Sequence, residues 1–390
     1  MRIIIDVRPY QSGHAKRGIG KFLIGVLPEL FSQAETDEVV LTAWRGVALP
    51  KELTVPRNVS VETVGSKSMS IFDRVSFRYL GRHIPFSAVA RVKGDVFLQP
   101  DIAFGMSKTT PTAAVFYDVI PLLFPEDYLS MASSGGNRKV DPRRKRRYKR
   151  GLRDFLGVQH IISISEASLK GLHKTLPESK IIPATVALLA AQRLPAPTKP
   201  ASIGYPYLLY VGGNDFRKNV TELLHTFENI VKKSALSELR LVLVGYDFDA
   251  EKQPLNPDFW QAYDASPVKD RIILEGYATE YRLASLYLDC EAYVNPSLYE
   301  GFGLTVLEAM AAGAPVVSYE NSSIPEVAGK AALLVKTQEE MSRAILKLLS
   351  DKTAGHRLQK LGRDQAKLFT WKRTAKAIYA ALKTTANSRD

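Results

Sequence analysis

The chain has 390 residues, 45% of them hydrophobic and 24% charged, enough material for two or three domains with sizeable cores. Its formal charge of +13 directs attention to anionic partners, while no stretch approaches the roughly 20 apolar residues of a membrane helix. A single cysteine, Cys290, excludes an intramolecular disulfide, and with six scattered histidines it leaves no metal-ligand spacing for a structural zinc site.

The opening Met1-Arg2-Ile3-Ile4-Ile5-Asp6 has too short an apolar run for a signal peptide and reads as a buried strand, and the single cysteine fits a cytoplasmic location. A glycine loop, Lys16-Arg17-Gly18-Ile19-Gly20-Lys21-Phe22, follows; alone it is a weak anion-binding signal or a plain strand-to-helix turn. Strand candidates at 3–7, 39–43, 96–99, 113–117 and 160–164, separated by longer polar or helical stretches, predict a mostly parallel sheet covered by helices. Asp118, after the fourth strand, is either a ligand contact or a capping acid in a tight turn. The basic run from Arg138 to Arg150 suits anionic lipid headgroups, a pyrophosphate-bearing acceptor or nucleic acid, and equally a solvated face without a dedicated partner. Ser165 is a natural N-cap, with Glu166 favouring the first turn of the next helix.

Pro195, Pro197 and Pro200 mark a turn-rich linker. A second series of strands is expected at 207–211, 241–244, 272–275, 292–295, 316–319 and 331–335, with helices such as 220–233 and 280–288 between them. The first strand of the series ends in Gly212-Gly213-Asn214-Asp215-Phe216-Arg217-Lys218-Asn219, where glycines and two cations at a helix start suit a diphosphate. Asp247-Phe248-Asp249 has the spacing of a divalent-metal motif, but it follows a strand of the same series and reads as a loop. The segment Tyr299-Glu300-Gly301-Phe302-Gly303-Leu304-Thr305-Val306-Leu307-Glu308 carries most of the chemistry. Glu300 falls in a strand-to-helix loop, Glu308 about one turn beyond Leu304 in a helix over 304–312, and the helix start offers unpaired N–H groups to an anion. Gly313 ends that helix, and residues 352–383 read as closing helices.

Glu300 and Glu308, with seven residues between them, resemble the paired-glutamate signature of the retaining family-4 glycosyltransferases of the GT-B fold. The likeness continues through Glu308-Ala309-Met310-Ala311-Ala312-Gly313-Ala314-Pro315-Val316-Val317 to Ser323-Ile324-Pro325-Glu326-Val327-Ala328-Gly329, and the Arg217-Lys218-Asn219 triplet resembles the family's donor-pyrophosphate motif. Asp6-Val7-Arg8 and Arg17-Gly18-Ile19-Gly20 look like the opening of many family-4 polysaccharide enzymes, a pattern that faces the donor. Tyr117-Asp118-Val119-Ile120-Pro121 resembles a His-Asp-x-x-Pro motif but has Tyr117 in the histidine's place, a departure that puts that role in question. A second departure is Pro183-Ala184-Thr185-Val186-Ala187, where the family often has an Asn-Gly turn.

The resemblance implies an α/β protein of GT-B type, two Rossmann-like domains with mostly parallel sheets facing across a deep cleft. Its domains are expected at 1–194 (acceptor side), 205–365 (nucleotide sugar) with a linker at 195–204, and 366–390 as a helix crossing back to the first domain. It further implies a retaining hexosyltransferase that moves a sugar, mannose from GDP-mannose ahead of UDP- or dTDP-sugars, onto a lipid-linked or polysaccharide acceptor in the synthesis of surface glycans such as lipopolysaccharide. Glu300, Asp118, Arg217 and Lys218 are the expected catalytic residues. Glu308 would hold the ribose, and Phe302, Gly303, Leu304, Thr305, Gly18, Gly20, Gly212 and Gly213 the rest of the donor. No metal or other cofactor is expected. The partners are a nucleotide sugar, a glycan acceptor and, through Arg138 to Arg150, an anionic membrane surface that would make the protein peripheral on the inner face of the cytoplasmic membrane; no nucleic acid is expected. A GT-B nucleotide-sugar epimerase and a basic nucleic-acid-binding protein are the alternatives.

Overall fold

The computed structural model describes residues 1–12, 18–49, 53–66, 92–101, 104, 106–107, 109–130, 140–196, 203–233, 238–249 and 256–389. The chain divides into two compact units, Met1–Ala190 with Thr370–Asp390, and Ala191–Phe369. Among the described residues no helix is long and apolar enough to cross a membrane.

The first unit is built on a seven-stranded sheet in the order β3-β2-β1-β4-β5-β6-β7, every paired strand parallel. The strands are β1 Arg2–Asp6, β2 Glu38–Arg45, β3 Val59–Ser66, β4 Val96–Gln99, β5 Thr112–Phe116, β6 His160–Ser163 and β7 Ala184–Val186. Central strands such as β1 and β5 are buried along nearly their whole length, which is why they read as continuous apolar runs. The two strands without a signal in the sequence, β3 and β7, are the edges of the sheet. An edge strand pairs on one side only; β3 interrupts its valines with Ser60, Glu62 and Thr63, and β7 is three residues long, so neither leaves the continuous apolar run of a central strand.

The closing helix, Trp371–Ala386, belongs to this first unit. It lies along the helix Gly18–Gln33, where Gly25 makes room for the Trp371 indole: a Cβ on Gly25 would stand 2.1 Å from Trp371 Cε2. Thr374 Oγ1 donates to the Leu188 carbonyl at 2.6 Å, and the Tyr379 hydroxyl donates to Asp37 at 2.6 Å. Asp37 also binds the chain's amino terminus at 2.7 Å.

The second unit carries a six-stranded parallel sheet in the order β10-β9-β8-β11-β12-β13. Its strands are β8 Tyr207–Val211, β9 Arg240–Val244, β10 Ile272–Gly276, β11 Ala292–Asn295, β12 Val316–Tyr319 and β13 Leu333–Val335. The helix Val220–Lys233 covers one face through Leu223, Leu224, Phe227 and Ile230, which share a core with Leu208, Leu241, Leu243 and Val294. The helix Leu304–Ala312 is apolar almost all round and buries Val306, Leu307, Ala309 and Met310, so its single acid, Glu308, is buried with them. Both units are therefore Rossmann-like, doubly wound parallel α/β domains.

Candidate functional site

The order of the second sheet reverses between β8 and β11, because β8 leads to β9 on one side and lies beside β11 on the other. In open parallel sheets, ligands bind outside the carboxyl ends of the strands at such a reversal. Two loops emerge there, 212–219 after β8 and 296–303 after β11. They carry Arg217, Lys218 and Glu300.

The first loop is braced from below. Gly245, at the end of β9, lies so close that a Cβ on it would stand 1.9 Å from the Gly212 carbonyl oxygen, a contact that admits only glycine. The Tyr210 hydroxyl donates to the Gly213 carbonyl at 2.6 Å, and the Asn214 N–H donates to Asp247 Oδ2 at 2.9 Å. Asp247, half of the Asp-x-Asp pattern, thus serves the backbone of this loop. The Asn214 amide is fully buried with neither polar atom partnered among the described residues, an unmet cost of the kind that binding sites carry. Arg217 and Lys218 stand not at a helix start but in a 3-10 turn, Phe216–Lys218, closed by Asn219 in the left-handed region at φ 55°. The helix begins only at Val220. Asparagine tolerates that conformation better than most residues.

The two loops meet at a fixed set of charges. The Leu298 N–H donates to the Arg217 carbonyl at 2.8 Å, and Arg217 Nη1 donates to the Tyr299 carbonyl at 2.6 Å. Glu300 then receives both cations, Lys218 Nζ at 2.6 Å from Oε1 and Arg217 Nη1 at 3.1 Å from Oε2. All three side chains are almost buried. Burial pushes the Glu300 carboxyl up; the Lys218 and Arg217 charges, with hydrogen bonds from Lys218 and Ser297, overcome it and hold the group at about 2. Its backbone is held from a third loop: the Glu300 N–H donates to Ser322 Oγ at 2.8 Å, and Ser323 Oγ donates to the Glu300 carbonyl at 2.9 Å. Ser322 has φ 44°. Its support of Glu300 had no signal in the sequence beyond its place beside Ser323.

Gly303 caps the helix Leu304–Ala312 at φ 92°, with no side chain closing the end. Its N–H groups are therefore available to an anion, beside Leu304 and Thr305, which are half-buried. Phe302 is buried edge-to-face against Phe369, so only its backbone can face a ligand. Glu308 is 2% exposed and, with Arg193, Ala284, Leu288 and Ala312, lines a pocket of about 250 Å³.

In the first unit the opening motif is held by its own charges. Asp6 and Arg8 do not face outward; they are 0% and 2% exposed, paired at 2.6 and 2.8 Å, with Gln99 donating to Asp6 at 3.2 Å. Two opposite charges at the end of a buried central strand satisfy one another. Asp118 accepts the Ile120 N–H at 2.8 Å, the contact of a turn cap. The Tyr117 hydroxyl is buried without a hydrogen-bond partner among the described residues, and burial, with Asp101 nearby, pushes it well above its ordinary range. Gly18 is exposed at the first residue of its helix, in open space where a Cβ would meet nothing within 4 Å, and Gly20 is buried; Lys16, Arg17, Arg138 and Lys139 lie outside the described residues. Ser165 caps its helix by accepting the Ser168 N–H at 2.9 Å. Among the described residues no group of three His, Cys, Asp or Glu could hold a metal ion.

Comparison with known proteins places these features. Residues 205–351 match the family described as glycosyl transferases group 1. The serotype-specific mannosyltransferase WbdA of Escherichia coli is 25% identical over 96% of this chain and 47% of its own length. The O-antigen chain mannosyltransferase B of Escherichia coli is 34% identical over 42% of each protein, so the chain spans about half the length, or less, of the curated relatives it matches. Among solved structures, a sucrose-phosphate synthase from Thermosynechococcus elongatus superposes with a TM-score of 0.70 over the full length of both chains at 17% identity, a likeness of fold.

Proposed function

We propose, from the match of residues 205–351 to the group 1 glycosyl transferases, that the protein is a retaining, metal-independent mannosyltransferase using GDP-mannose and a lipid-linked or polysaccharide acceptor in surface-glycan synthesis. One observation carries this reading: Arg217, Lys218 and Glu300 converge at the strand-order reversal of the second sheet, where a nucleotide diphosphate is expected to bind. The similarity to mannosyltransferases across 96% of the chain supports mannose as the sugar.

The donor diphosphate sits against Lys218, Arg217 and the open start of the helix Leu304–Ala312. As the bond from the sugar's anomeric carbon to the phosphate oxygen lengthens, charge grows on the leaving group, and these fixed donors stabilise it without reorganising. Glu300 holds both cations in place and offers its remaining acceptor capacity to the sugar hydroxyls; Glu308 accepts from the ribose hydroxyls in its pocket. The acceptor oxygen forms the new bond on the face from which phosphate leaves, and the phosphate oxygen takes the acceptor's proton. Asp118 is assigned to the acceptor or sugar, Gly18 and Gly20 to close approach of the donor, and Gly212 and Gly213 to the loop that presents the cations.

A panel of GDP-, UDP- and dTDP-sugars, assayed for binding and then for transfer, tests the reading. Removing one phosphate or ribose contact costs about 1.5–3 kcal/mol, so Lys218→Ala and Glu308→Gln should each weaken donor binding roughly 10- to 100-fold. Donor affinity and turnover equal to the parent in both variants would remove the site. An altered sugar nucleotide formed without acceptor would identify an epimerase instead.

A further inference from the structure

The helix Pro142–Asp154 carries eight Arg or Lys among its thirteen residues, and the donor site uses none of them. Like charges three and four residues apart repel along a helix, and cations in its first turns oppose the dipole. The helix forms because Asp141 accepts the Arg143 N–H at 2.8 Å and because Leu152 is buried with Phe116, Phe155 and Leu172, with Tyr148 packed against that cluster. Its charge therefore works against the fold, and an external anion would relieve it.

Three of the cations share one pocket. Lys145, Lys149 and Arg153 recur every fourth residue, a stripe about 12 Å long at roughly 1.5 Å per residue. Together with Leu122, Leu152 and Leu176 they line a cavity of about 320 Å³. Arg144, by contrast, turns to Asp141 and donates to the Ser130 carbonyl at 2.7 Å. The pocket thus combines a cationic rim with an apolar lining. Leu123, next to Leu122, is 49% exposed, and Ile181, in the turn after Leu176, is 88% exposed.

We propose that this pocket binds the phosphate headgroup of an anionic lipid, with Lys145, Lys149 and Arg153 on the phosphate oxygens and the half-buried Leu122 and Leu176 against the adjoining glycerol and upper acyl chain. Free phosphate and nucleic acid share the charge but have no use for the apolar lining, and the exposed Leu123 and Ile181 suit the edge of a bilayer. The pocket shares no residue with the donor site, and vesicle binding needs no donor and no turnover, so its outcome is independent of the glycosyltransferase reading.

The test is flotation of the full chain with phosphatidylcholine vesicles, with and without phosphatidylglycerol, comparing two double variants of equal charge. Arg143→Ala/Arg146→Ala removes two exposed cations off the pocket and should weaken binding to the anionic vesicles roughly 30-fold through general electrostatics alone. Lys149→Ala/Arg153→Ala should lose at least about tenfold more, and Leu122→Ser should weaken vesicle binding although it removes no charge. Equal losses in the two double variants would reduce the pocket to a diffuse basic face and overturn the proposal. So would displacement from vesicles by inorganic phosphate at constant ionic strength, which would mark a free-phosphate site, or pocket-dependent binding of RNA without binding to vesicles. Matching thermal melts of the variants establish that they fold; glutamine replaces alanine in any that do not.

Discussion

Glu300→Gln separates the charge of Glu300 from its shape, because glutamine is close to an isostere of the protonated acid. The carboxyl lies at about 2 in the folded chain against 4.5 for the ordinary group, a difference worth about 3 kcal/mol at 1.36 kcal/mol per unit. The group is depressed on folding, so its contribution is complete above pH 4.5 and disappears as pH falls through 2. By linkage it has fallen to roughly half by pH 3. Denaturant unfolding of parent and variant, followed by a signal from residues 191–369, should show the variant less stable by about 3 kcal/mol at pH 7 and by about half as much at pH 3. Part of the pH 7 loss is the cost of leaving Lys218 and Arg217 nearly buried without their counter-charge. A difference under about 1 kcal/mol at pH 7, or one that does not shrink with acid, would refute the claim that these three charges form one coupled set.

Gly25→Ala places a methyl inside the Trp371 indole and should destabilise the first unit by about 1–3 kcal/mol, read as a lowered melting temperature that Trp371→Leu partly restores. Gly303→Ala combines φ 92° with a Cβ 2.7 Å from Ile324 Cδ1, so it should cost about 1–3 kcal/mol and weaken donor binding, because both the loop and the helix start must shift. Unchanged donor affinity in that variant would show that the helix start does not take part. Turnover should persist in EDTA, since Asp247 is committed to the Asn214 N–H; complete loss restored by a divalent metal would overturn metal independence.

The elements legible in the sequence are those whose signal is local. The strands β4, β8, β11 and β12 and the helices Val220–Lys233 and Leu304–Ala312 stand where apolar runs and a terminal glycine predict them, because a strand covered on both faces leaves an unbroken apolar record. Ser165 and Gly313 mark helix ends for the same local reason. β3 and β7 escaped because edge strands are solvated, and the basic run hid a helix because composition cannot show that Leu152 and Tyr148 have a core to pack on.

Tertiary structure decided everything that depends on partners distant in the chain. Residue types alone put cations near 217 and a carboxylate at 300; only the order of the second sheet brings them together across 82 residues of sequence separation and so makes one charge cluster. The same dependence makes Asp6 and Arg8 a buried pair, because the neighbours Gln99 and Phe104 that enclose them come from residues more than 90 positions away. Local sequence carries the free energy of strands and helices; the choice of which strand ends are adjacent, and hence which charges meet, is made by the burial of whole faces.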